Sequence, residues 1–244
     1  MRSVPSVIRA LATKGVAGAY RELLPEASRD SIAWLNRQGI TVNGARVLEV
    51  GCGFGTTAGL LREQGADLVA IDVELPRVQH ARQSGVSAAL GDASALAFGN
   101  NTLDLILCIN VLEHLEVPRL FVDEAYRCLR PGGHAYLTWT NWLSPFGGHD
   151  FTPFHYLGPR LGYRLACKLR RKERFIQVPY ETIWPIHIGP TLRLLERSGF
   201  EVVKMTPRYF PSLSFIPRIP ALREFFTVNC QVLLLKPIPA SKPA

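Results

Sequence analysis

Short apolar runs alternate with amphipathic stretches along most of the chain. The runs are rich in valine, leucine and isoleucine and contain few polar positions, which predicts strands that are buried on both faces. The stretches between them carry apolar residues three to four positions apart, which predicts helices. Such an alternation is typical of an α/β fold with a doubly wound sheet. The predicted strands lie near residues 47–50, 68–72, 88–93, 103–109, 135–139, 201–203 and 230–235.

The first predicted strand leads into a glycine-rich turn. Glu49 is followed by Gly51, Gly53 and Gly55 at alternate positions, and a helical pattern then begins. Glycine permits backbone angles that other residues avoid, and it lets a ligand lie against bare peptide. The spacing differs from the G-x-G-x-x-G fingerprint of dinucleotide sites, because Thr56 stands where the third glycine would be. A carboxylate just before the turn would repel phosphates, so the turn predicts a ligand that carries an ammonium group.

The second predicted strand ends in a carboxylate, Asp72, which lies 21 residues after Gly51. Doubly wound nucleotide sites have an acidic residue about 20 residues after the first glycine, where it binds ribose hydroxyls. Two vicinal hydroxyl donors match the two oxygens of one carboxylate. We therefore predict that Asp72 binds a ribose.

These features resemble motif I of the class I S-adenosylmethionine (SAM)-dependent methyltransferases, in which E-x-G-x-G-x-G follows the first strand. Three later segments also match that family: Gly-Asp at 91–92, Asn-Val-Leu-Glu-His at 110–114, and Leu-Arg-Pro-Gly-Gly at 129–133. The resemblance implies a seven-stranded Rossmann-like sheet with strand seven antiparallel, N-terminal helices and a helical and loop cap insertion. It also implies SAM as the cofactor and S-adenosylhomocysteine as the product.

The resemblance assigns roles to individual positions around the cofactor. Asp92 would accept a hydrogen bond from the adenine amine, and the N–H of Ala93 would meet a ring nitrogen. The backbone of Ile109 and Asn110 would face the methionine part. His114 would position the segment, or would belong to the first turn of the next helix. The predicted cofactor-binding residues are Glu49, Gly51, Gly53, Gly55, Asp72, Asp92, Ala93, Ile109 and Asn110.

Length and composition bound the organisation of the chain. Its 244 residues, 47% hydrophobic and 20% charged, fit a single methyltransferase domain with a modest insertion. The sequence shows no evident membrane-spanning run and no evident signal peptide. Its five cysteines include no C-x-x-C pair, which argues against a disulfide framework. We therefore expect a cytoplasmic protein. The expected parts are N-terminal helices (1–44), a cofactor-binding core (45–140), a substrate cap (141–190), and a final helix and strands (191–244) with an apolar insertion (207–229).

Two helices are predicted before the first strand, between residues 6 and 38. A proline would separate them, and Ser28 or Asp30 would cap the second. Such helices pack against the sheet. In the resembling family they often cover the cofactor, which would make Tyr20 or Trp34 part of the substrate entrance.

The cap insertion carries the candidate catalytic residues. Its start, Trp-Leu-Ser-Pro-Phe-Gly-Gly-His-Asp at 142–150, resembles a loop found in a group of actinobacterial methyltransferases. Methyl transfer to an alcohol is assisted by removal of the hydroxyl proton, and histidine is the usual base near neutral pH. We predict His149 as the base with Asp150 supporting it, then His155, then His187. Alternatively, these histidines hydrogen-bond the loop together. A divalent-metal site from Asp150 with His149 or His155 is an alternative that lacks a recognised ligand spacing, so no metal site is predicted.

A basic stretch, Arg160–Arg174, follows in the cap. Its seven basic residues and one acid give a charge of +6, most of the chain's net +8. Leucines recur at every fourth position from Leu157 to Leu169 beside these cations, which predicts a membrane-surface helix or an anion-binding lid. The alternative is a solvated basic helix whose leucines pack on the core. The stretch lacks a recognition module for nucleic acid, so nucleic acid is not an expected partner.

The leading functional prediction is O-methylation of a small-molecule, glycan or lipid-linked acceptor. Peripheral contact with an anionic membrane through Arg160–Arg174 would accompany it. One alternative is a C-methyltransferase that acts on a quinone-like or isoprenoid-like ring. Another is a catalytically silent protein that binds SAM and docks on membranes or on a partner enzyme.

Overall fold

The computed structural model of the protein describes residues 24–209, 215–216 and 219–239. The strands in these residues form one mixed sheet. They are β1 (Arg46–Val50), β2 (Asp67–Asp72), β3 (Ala88–Leu90), β4 (Leu103–Ile109), β5 (Leu129–Thr140), β6 (Glu201–Pro207) and β7 (Asn229–Leu235). The order across the sheet is β3-β2-β1-β4-β5-β7-β6, and β7 is antiparallel to both of its neighbours. The predicted seven-stranded sheet with an antiparallel last strand is confirmed.

Helices follow most of the parallel strands in the chain. Those in the described residues are α1 (24–37), α2 (Thr56–Glu63), α3 (Leu75–Gln83), α4 (Pro118–Cys128), α5 (Pro159–Arg170), α6 (Ile188–Arg197) and α7 (Pro220–Phe226). Short 3₁₀ turns lie at Leu112–His114, His149–Phe151 and Phe154–Leu157. The segment of His114 is therefore a separate turn and not the start of α4.

The chain divides into two compact units, one that ends at Gly91 and one that begins at Asp92. In the N-terminal unit β1 pairs in parallel with β2, and β2 pairs in parallel with β3. Leu48 of β1 and Ala70 of β2 are fully buried. Strands of a parallel sheet are covered on both faces, which is why the sequence of these strands has so few polar positions.

Helix α1 does not start at the residues that were predicted to cap it. Residues 24–27 are already helical, and Ser28 is buried inside the helix. Its hydroxyl forms a hydrogen bond of 2.9 Å with the hydroxyl of Thr57 in α2. Asp30 is an exposed residue of the same helix. The capping prediction was wrong because the Ser28 side chain serves a contact between helices.

Of the two residues that were predicted to line the substrate entrance, the structure describes only Trp34. Trp34 of α1 is only 8% exposed and belongs to the core of its unit. Tyr20 and the first predicted helix lie outside the described residues. Trp34 therefore contributes to packing, and the entrance role stays a prediction for both residues.

In the C-terminal unit β5 contains an irregularity that the sequence did not predict. Leu103 pairs with Leu129 and Leu105 pairs with His134, so residues 130–133 bulge out of the ladder. The Pro-Gly-Gly segment was expected to end a helix before the fifth strand. Instead, α4 ends directly before β5, and the segment lies within the strand as a bulge.

The cap insertion has a hydrophobic core of its own, formed by Trp142, Phe151, Ala166 and Phe175. Gly147 makes this packing possible, because a Cβ there would lie 1.8 Å from the carbonyl oxygen of Trp142. Any side chain at Gly147 would force the loop away from the tryptophan. The first half of the cap is therefore a packed element, which can hold a polar side chain in a fixed position.

Candidate functional site

In the N-terminal unit, Asp72 fixes the glycine-rich turn. One carboxylate oxygen accepts a hydrogen bond of 2.9 Å from the N–H of Gly53, and the other accepts one of 3.0 Å from the N–H of Glu74. The Asp72 side chain is 3% exposed. Each oxygen retains a further lone pair. Asp72 thus holds the turn in shape and can still accept hydroxyl donors.

The turn itself needs glycine for two reasons. Gly51, Gly53 and Gly55 all have positive φ, at 71°, 54° and 80°. At Gly55 a Cβ would also lie 2.9 Å from the Cβ of Ala81. At Gly53, by contrast, a Cβ would meet no atom within 4 Å, so this peptide borders open space. The turn presents bare backbone there, as the sequence predicted.

Glu49 at the end of β1 is a buried acid with an unsatisfied oxygen. Its carboxyl is hydrogen-bonded by the Thr57 hydroxyl and the Ala58 N–H, but Oε2 has no hydrogen-bond partner among the described residues. Burial, reinforced by nearby Asp72 and opposed by the two hydrogen bonds, raises the pKa of Glu49 to about 8. Glu49 therefore holds a proton at neutral pH. A neighbouring cation would favour its charged form.

Asp92 and Ala93 begin the C-terminal unit. Asp92 is exposed, and its Oδ1 accepts a hydrogen bond of 2.8 Å from the N–H of Ser94. Ala93 is buried. Asp92 thus shapes a local turn, and its predicted contact with adenine stays a prediction.

Ile109 ends β4, and Asn110 follows it in a left-handed conformation with φ of 55°. The N–H of Asn110 donates to the Thr138 carbonyl at 2.9 Å, and its Oδ1 accepts from the Thr138 hydroxyl at 3.0 Å and from Asn229 at 2.7 Å. Positive φ is uncommon outside glycine and persists only where the surroundings enforce it. The predicted contacts of Ile109 and Asn110 with the methionine part stay predictions.

His149, His114 and Glu113 lie together in the C-terminal unit. One potential ligand atom from each lies within 4.8 Å of the other two, and the ring centroids of the histidines are 6.0 Å apart. Nδ1 of His114 is 2.6 Å from the Thr182 carbonyl, and Nδ1 of His149 is 3.2 Å from the Gly147 carbonyl. Because a carbonyl oxygen only accepts, both Nδ1 atoms carry the ring proton. In each neutral ring the lone pair is therefore on Nε2.

The carboxylate of this cluster was not predicted to have a function. Glu113 is 1% exposed, and its Oε1 accepts a hydrogen bond of 2.9 Å from the N–H of Thr140. Oε2 is buried and has no hydrogen-bond partner in the described part of the chain. Burial lowers the pKa of His149, with partial opposition from Glu113. The only available sequence signal was a Glu-His pair directly after a strand.

The other predicted catalytic residues, Asp150 and His155, are not members of this cluster. The ring of His149 forms its hydrogen bond with a backbone carbonyl and not with Asp150. The Asp150 carboxylate has only a small electrostatic effect on His149, and the Asp150 carbonyl accepts a hydrogen bond from Arg170. His155 is fully buried, with Nε2 3.1 Å from the Ser144 carbonyl. Asp150 and His155 are thus in positions that suit holding the loop together.

His187, the third candidate, precedes α6. Its Nδ1 is 4.0 Å from a carboxylate oxygen of Glu224. The same carboxylate accepts hydrogen bonds from the N–H groups of Ile188 and Gly189, at 3.0 and 2.7 Å. His187 therefore adjoins a group that fixes the start of the helix.

The basic stretch forms α5 and the turn after it. Leu157, Leu161 and Leu169 are 52%, 63% and 60% exposed, and Leu165 is half-buried, so the alternative that the leucines pack on the core does not hold for three of the four. Arg170 is used within the cap, where it donates to the carbonyls of Asp150 and Thr152. No helix in the described ranges is long and apolar enough to cross a bilayer.

The cations of the stretch differ in their surroundings. Arg160 lies over the ring of Tyr180, and Arg174 forms an ion pair of 2.7 Å with Glu181. Three others are exposed and have no side-chain partner within the described ranges: Arg164, Lys168 and Arg171. These three cations are available for an outside partner.

The apolar insertion is described in part, without residues 210–214 and 217–218. Its helix α7 exposes Leu222, Phe225 and Phe226. Side chains of α7 therefore contribute apolar surface, and the prediction that this insertion walls a pocket stays a prediction.

Comparison with known proteins identifies the kind of chain that carries these features. The sequence profile described as "Methyltransferase domain" matches residues 48–137. An uncharacterised methyltransferase of Mycobacteroides abscessus is 33% identical over 215 residues, which cover 84% of this chain and 81% of that protein. One from Mycobacterium marinum is 34% identical over 214 residues, with the same coverage.

Solved structures share the fold. A SAM-dependent methyltransferase from Mesorhizobium loti superposes with a TM-score of 0.62 at 21% identity, covering 84% of this chain and 97% of that one. At this level of identity the likeness establishes the fold alone.

Proposed function

Because the chain belongs to the SAM-dependent methyltransferases, we propose that it methylates a hydroxyl oxygen of a small-molecule, glycan or lipid-linked acceptor. SAM supplies the electrophilic methyl group. The protein must hold the cofactor, bring the acceptor oxygen in line with the methyl carbon and remove the hydroxyl proton.

The observation that supports the proposed cofactor site is the pair of buried acids in the N-terminal unit. Glu49 offers the ammonium group of SAM an oxygen that has no hydrogen-bond partner among the described residues, and Asp72 offers further lone pairs to the ribose. The open space at Gly53 leaves room beside the backbone. An orphaned buried acid is costly in a free protein, and a cationic ligand would relieve that cost.

The raised pKa of Glu49 predicts that SAM binding releases a proton. The pKa is about 8 in the free protein, so Glu49 is mostly protonated at pH 7. The ammonium group would lower this pKa, and close to one proton should leave on binding at pH 7. Titration calorimetry in buffers of different ionisation enthalpy measures this number. The release should shrink at pH values well above 8, where Glu49 is already charged.

Two variants make this test specific. Glu49→Gln should abolish the proton release and weaken SAM binding, because an amide neither titrates nor carries charge. Glu63→Gln makes the same change at an exposed position of α2 and should leave both quantities as they are in the wild type. Equal proton release in all three proteins would contradict the role of Glu49.

We assign the base to His149. Its Nδ1 proton is fixed by the Gly147 carbonyl, which leaves Nε2 free to accept the hydroxyl proton. The backbone of His149 has a φ of 47°, and enforced left-handed residues cluster at functional sites. The packed cap explains how this conformation is maintained. His155 is less suited, because its side chain is fully buried and its remaining ring nitrogen is closed to an acceptor.

We further propose that α5 rests on an anionic membrane surface, which favours a lipid-linked acceptor. Leu161 and Leu169 are exposed on this helix, and Arg164, Lys168 and the following Arg171 have no side-chain partner among the described residues. An interfacial helix uses both kinds of residue. Each Lys or Arg near an anionic surface contributes about 1 kcal/mol. The combined replacement Arg164→Gln, Lys168→Gln and Arg171→Gln should therefore lower partitioning onto phosphatidylserine vesicles by about two orders of magnitude at low salt.

A control variant that loses the same number of charges shows whether vesicle binding depends on α5 or only on the net charge of the protein. Arg37, Arg197 and Lys204 are exposed and lie on other elements, and their triple glutamine variant loses the same three charges. It should bind vesicles nearly as well as the wild type. Equal loss in the two triple variants, or no binding of the wild type, would refute membrane contact through α5.

A further inference from the structure

We infer that Glu113, His114 and His149 form a binding site for a divalent transition-metal ion of the zinc type. The three residues are separated by up to 36 positions in sequence, and the cap brings His149 back to the turn after β4. One potential ligand atom of each lies within 4.8 Å of the other two. The sequence analysis predicted no metal site and did not consider these three residues together.

The chemistry of the ligand set indicates the class of ion. Two imidazoles and one carboxylate are a common set for zinc and for other first-row divalent ions, and such sites keep open positions for water or substrate. Magnesium and calcium prefer oxygen ligands and would bind weakly to this set. The cluster therefore favours an ion with affinity for nitrogen.

Both histidines are already oriented as metal ligands usually are. In most metal sites the imidazole donates its second ring N–H to a carbonyl or carboxylate, which fixes the tautomer and the ring direction. His114 does so through Thr182 at 2.6 Å, and His149 does so through Gly147 at 3.2 Å. The same arrangement leaves Nε2 of each ring unprotonated and available to an ion.

The carboxylate of Glu113 gives a second reason to infer a bound cation, separate from the orientation of the histidines. Its Oε1 is occupied by the Thr140 N–H, and its backbone carbonyl accepts from Trp184 at 2.8 Å, so the residue is held on two sides. Oε2 is nevertheless buried without a hydrogen-bond partner among the described residues. A buried carboxylate oxygen without a hydrogen bond requires an explanation. A bound cation would explain this oxygen and also the orientation of the two histidines.

The distances allow a single ion to reach all three groups. Ligands at about 2.1 Å from one ion can be at most about 4.2 Å apart. The separations in the cluster extend to no more than 4.8 Å, so small side-chain rotations would bring the ligand atoms into range.

The inferred site shares His149 with the proposed function, but the two proposals are tested separately. An ion would use the Nε2 lone pair that His149 needs as a base, so the two roles exclude each other at any one moment. Metal binding can be measured without SAM or an acceptor. A failure of the metal site would thus leave the proposed methyl transfer untouched, and the reverse is also true.

Cobalt(II) is the probe, because its visible absorption reports nitrogen coordination and it occupies zinc sites. Tag-free protein, first freed of metal with a chelator, should bind one Co²⁺ per chain with a new visible band. Zinc should displace the cobalt and erase the band. Glu113→Gln and His149→Asn should each weaken Co²⁺ binding by roughly 10–100-fold or more, since even outer partners of a metal site have effects of that size.

The control is His187→Asn, which removes another cap histidine that lies outside the cluster and should bind Co²⁺ as the wild type does. Asparagine suits position 149 because it tolerates the left-handed backbone there. Circular dichroism confirms that each variant is folded. The site is refuted if the wild type binds no stoichiometric cobalt, or if the two cluster variants bind it as tightly as the control.

Discussion

The variant Asp72→Asn is expected to raise the dissociation constant for SAM by about a hundredfold or more. The proposed carboxylate would accept hydrogen bonds from two ribose hydroxyls, and hydrogen bonds to charged groups contribute about 1.5–3 kcal/mol each. An asparagine keeps one acceptor oxygen and replaces the other with an N–H₂ donor. That donor would face either a ribose hydroxyl or one of the backbone N–H groups of Gly53 and Glu74 that Asp72 now binds.

Because Asp72 also fixes the glycine-rich turn, its replacement should lower the melting temperature of the free protein. Calorimetric titration with SAM and thermal unfolding without ligand separate the two effects. Asp67→Asn makes the same change at the opposite, exposed end of β2 and should alter neither. If Asp72→Asn bound SAM as tightly as Asp67→Asn, the ribose role of Asp72 would be untenable.

The second large effect is expected from His149→Asn, which should lower kcat by roughly 10²–10⁴-fold, the usual contribution of a general base. The variant keeps a residue that tolerates positive φ, so the cap loop should keep its conformation. The dissociation constant for SAM should stay within about twofold of the wild-type value, because the residues that are proposed to bind SAM lie elsewhere. A drop in kcat with unchanged cofactor affinity is the signature of a lost catalytic group.

The assay follows transfer of labelled methyl groups from SAM into a screened set of hydroxylated lipids, glycans and small molecules, with a chelator present so that His149 is free of metal. His134→Asn, which changes a histidine of β5 outside the cluster, is the matched control and should retain wild-type turnover. Turnover of His149→Asn equal to that of the control would exclude His149 as the base. A wild type that binds SAM but methylates nothing in the set would favour the catalytically silent alternative.

Much of the cofactor-binding part could be predicted, because its signals are local in sequence. The turn at Gly51–Gly55 follows a buried strand directly, and Asp72 ends the next strand at a spacing that one helix sets. The hydrogen bonds from Asp72 to the turn could not be predicted. They depend on the register between β1 and β2, which no local pattern encodes.

The candidate catalytic region was predicted less completely. His149 was chosen for its chemistry and its glycine-rich loop, but Asp150 was expected as its partner. The structure instead pairs the ring with Gly147 and brings it close to Glu113 and His114. Contacts between residues 36 positions apart follow from how the cap packs, and the cap packs through aromatic residues whose partners are distant in sequence.

By itself, the sequence determined the alternation of strands and helices, the sheet type and the glycine turn, because hydrophobic periodicity and backbone permissiveness act over a few neighbouring residues. Only the tertiary structure decided that Ser28 contacts another helix, that Leu161 and Leu169 of α5 are exposed and that Glu113 joins two histidines. Those outcomes depend on which surfaces bury one another, and burial is settled by the whole chain at once.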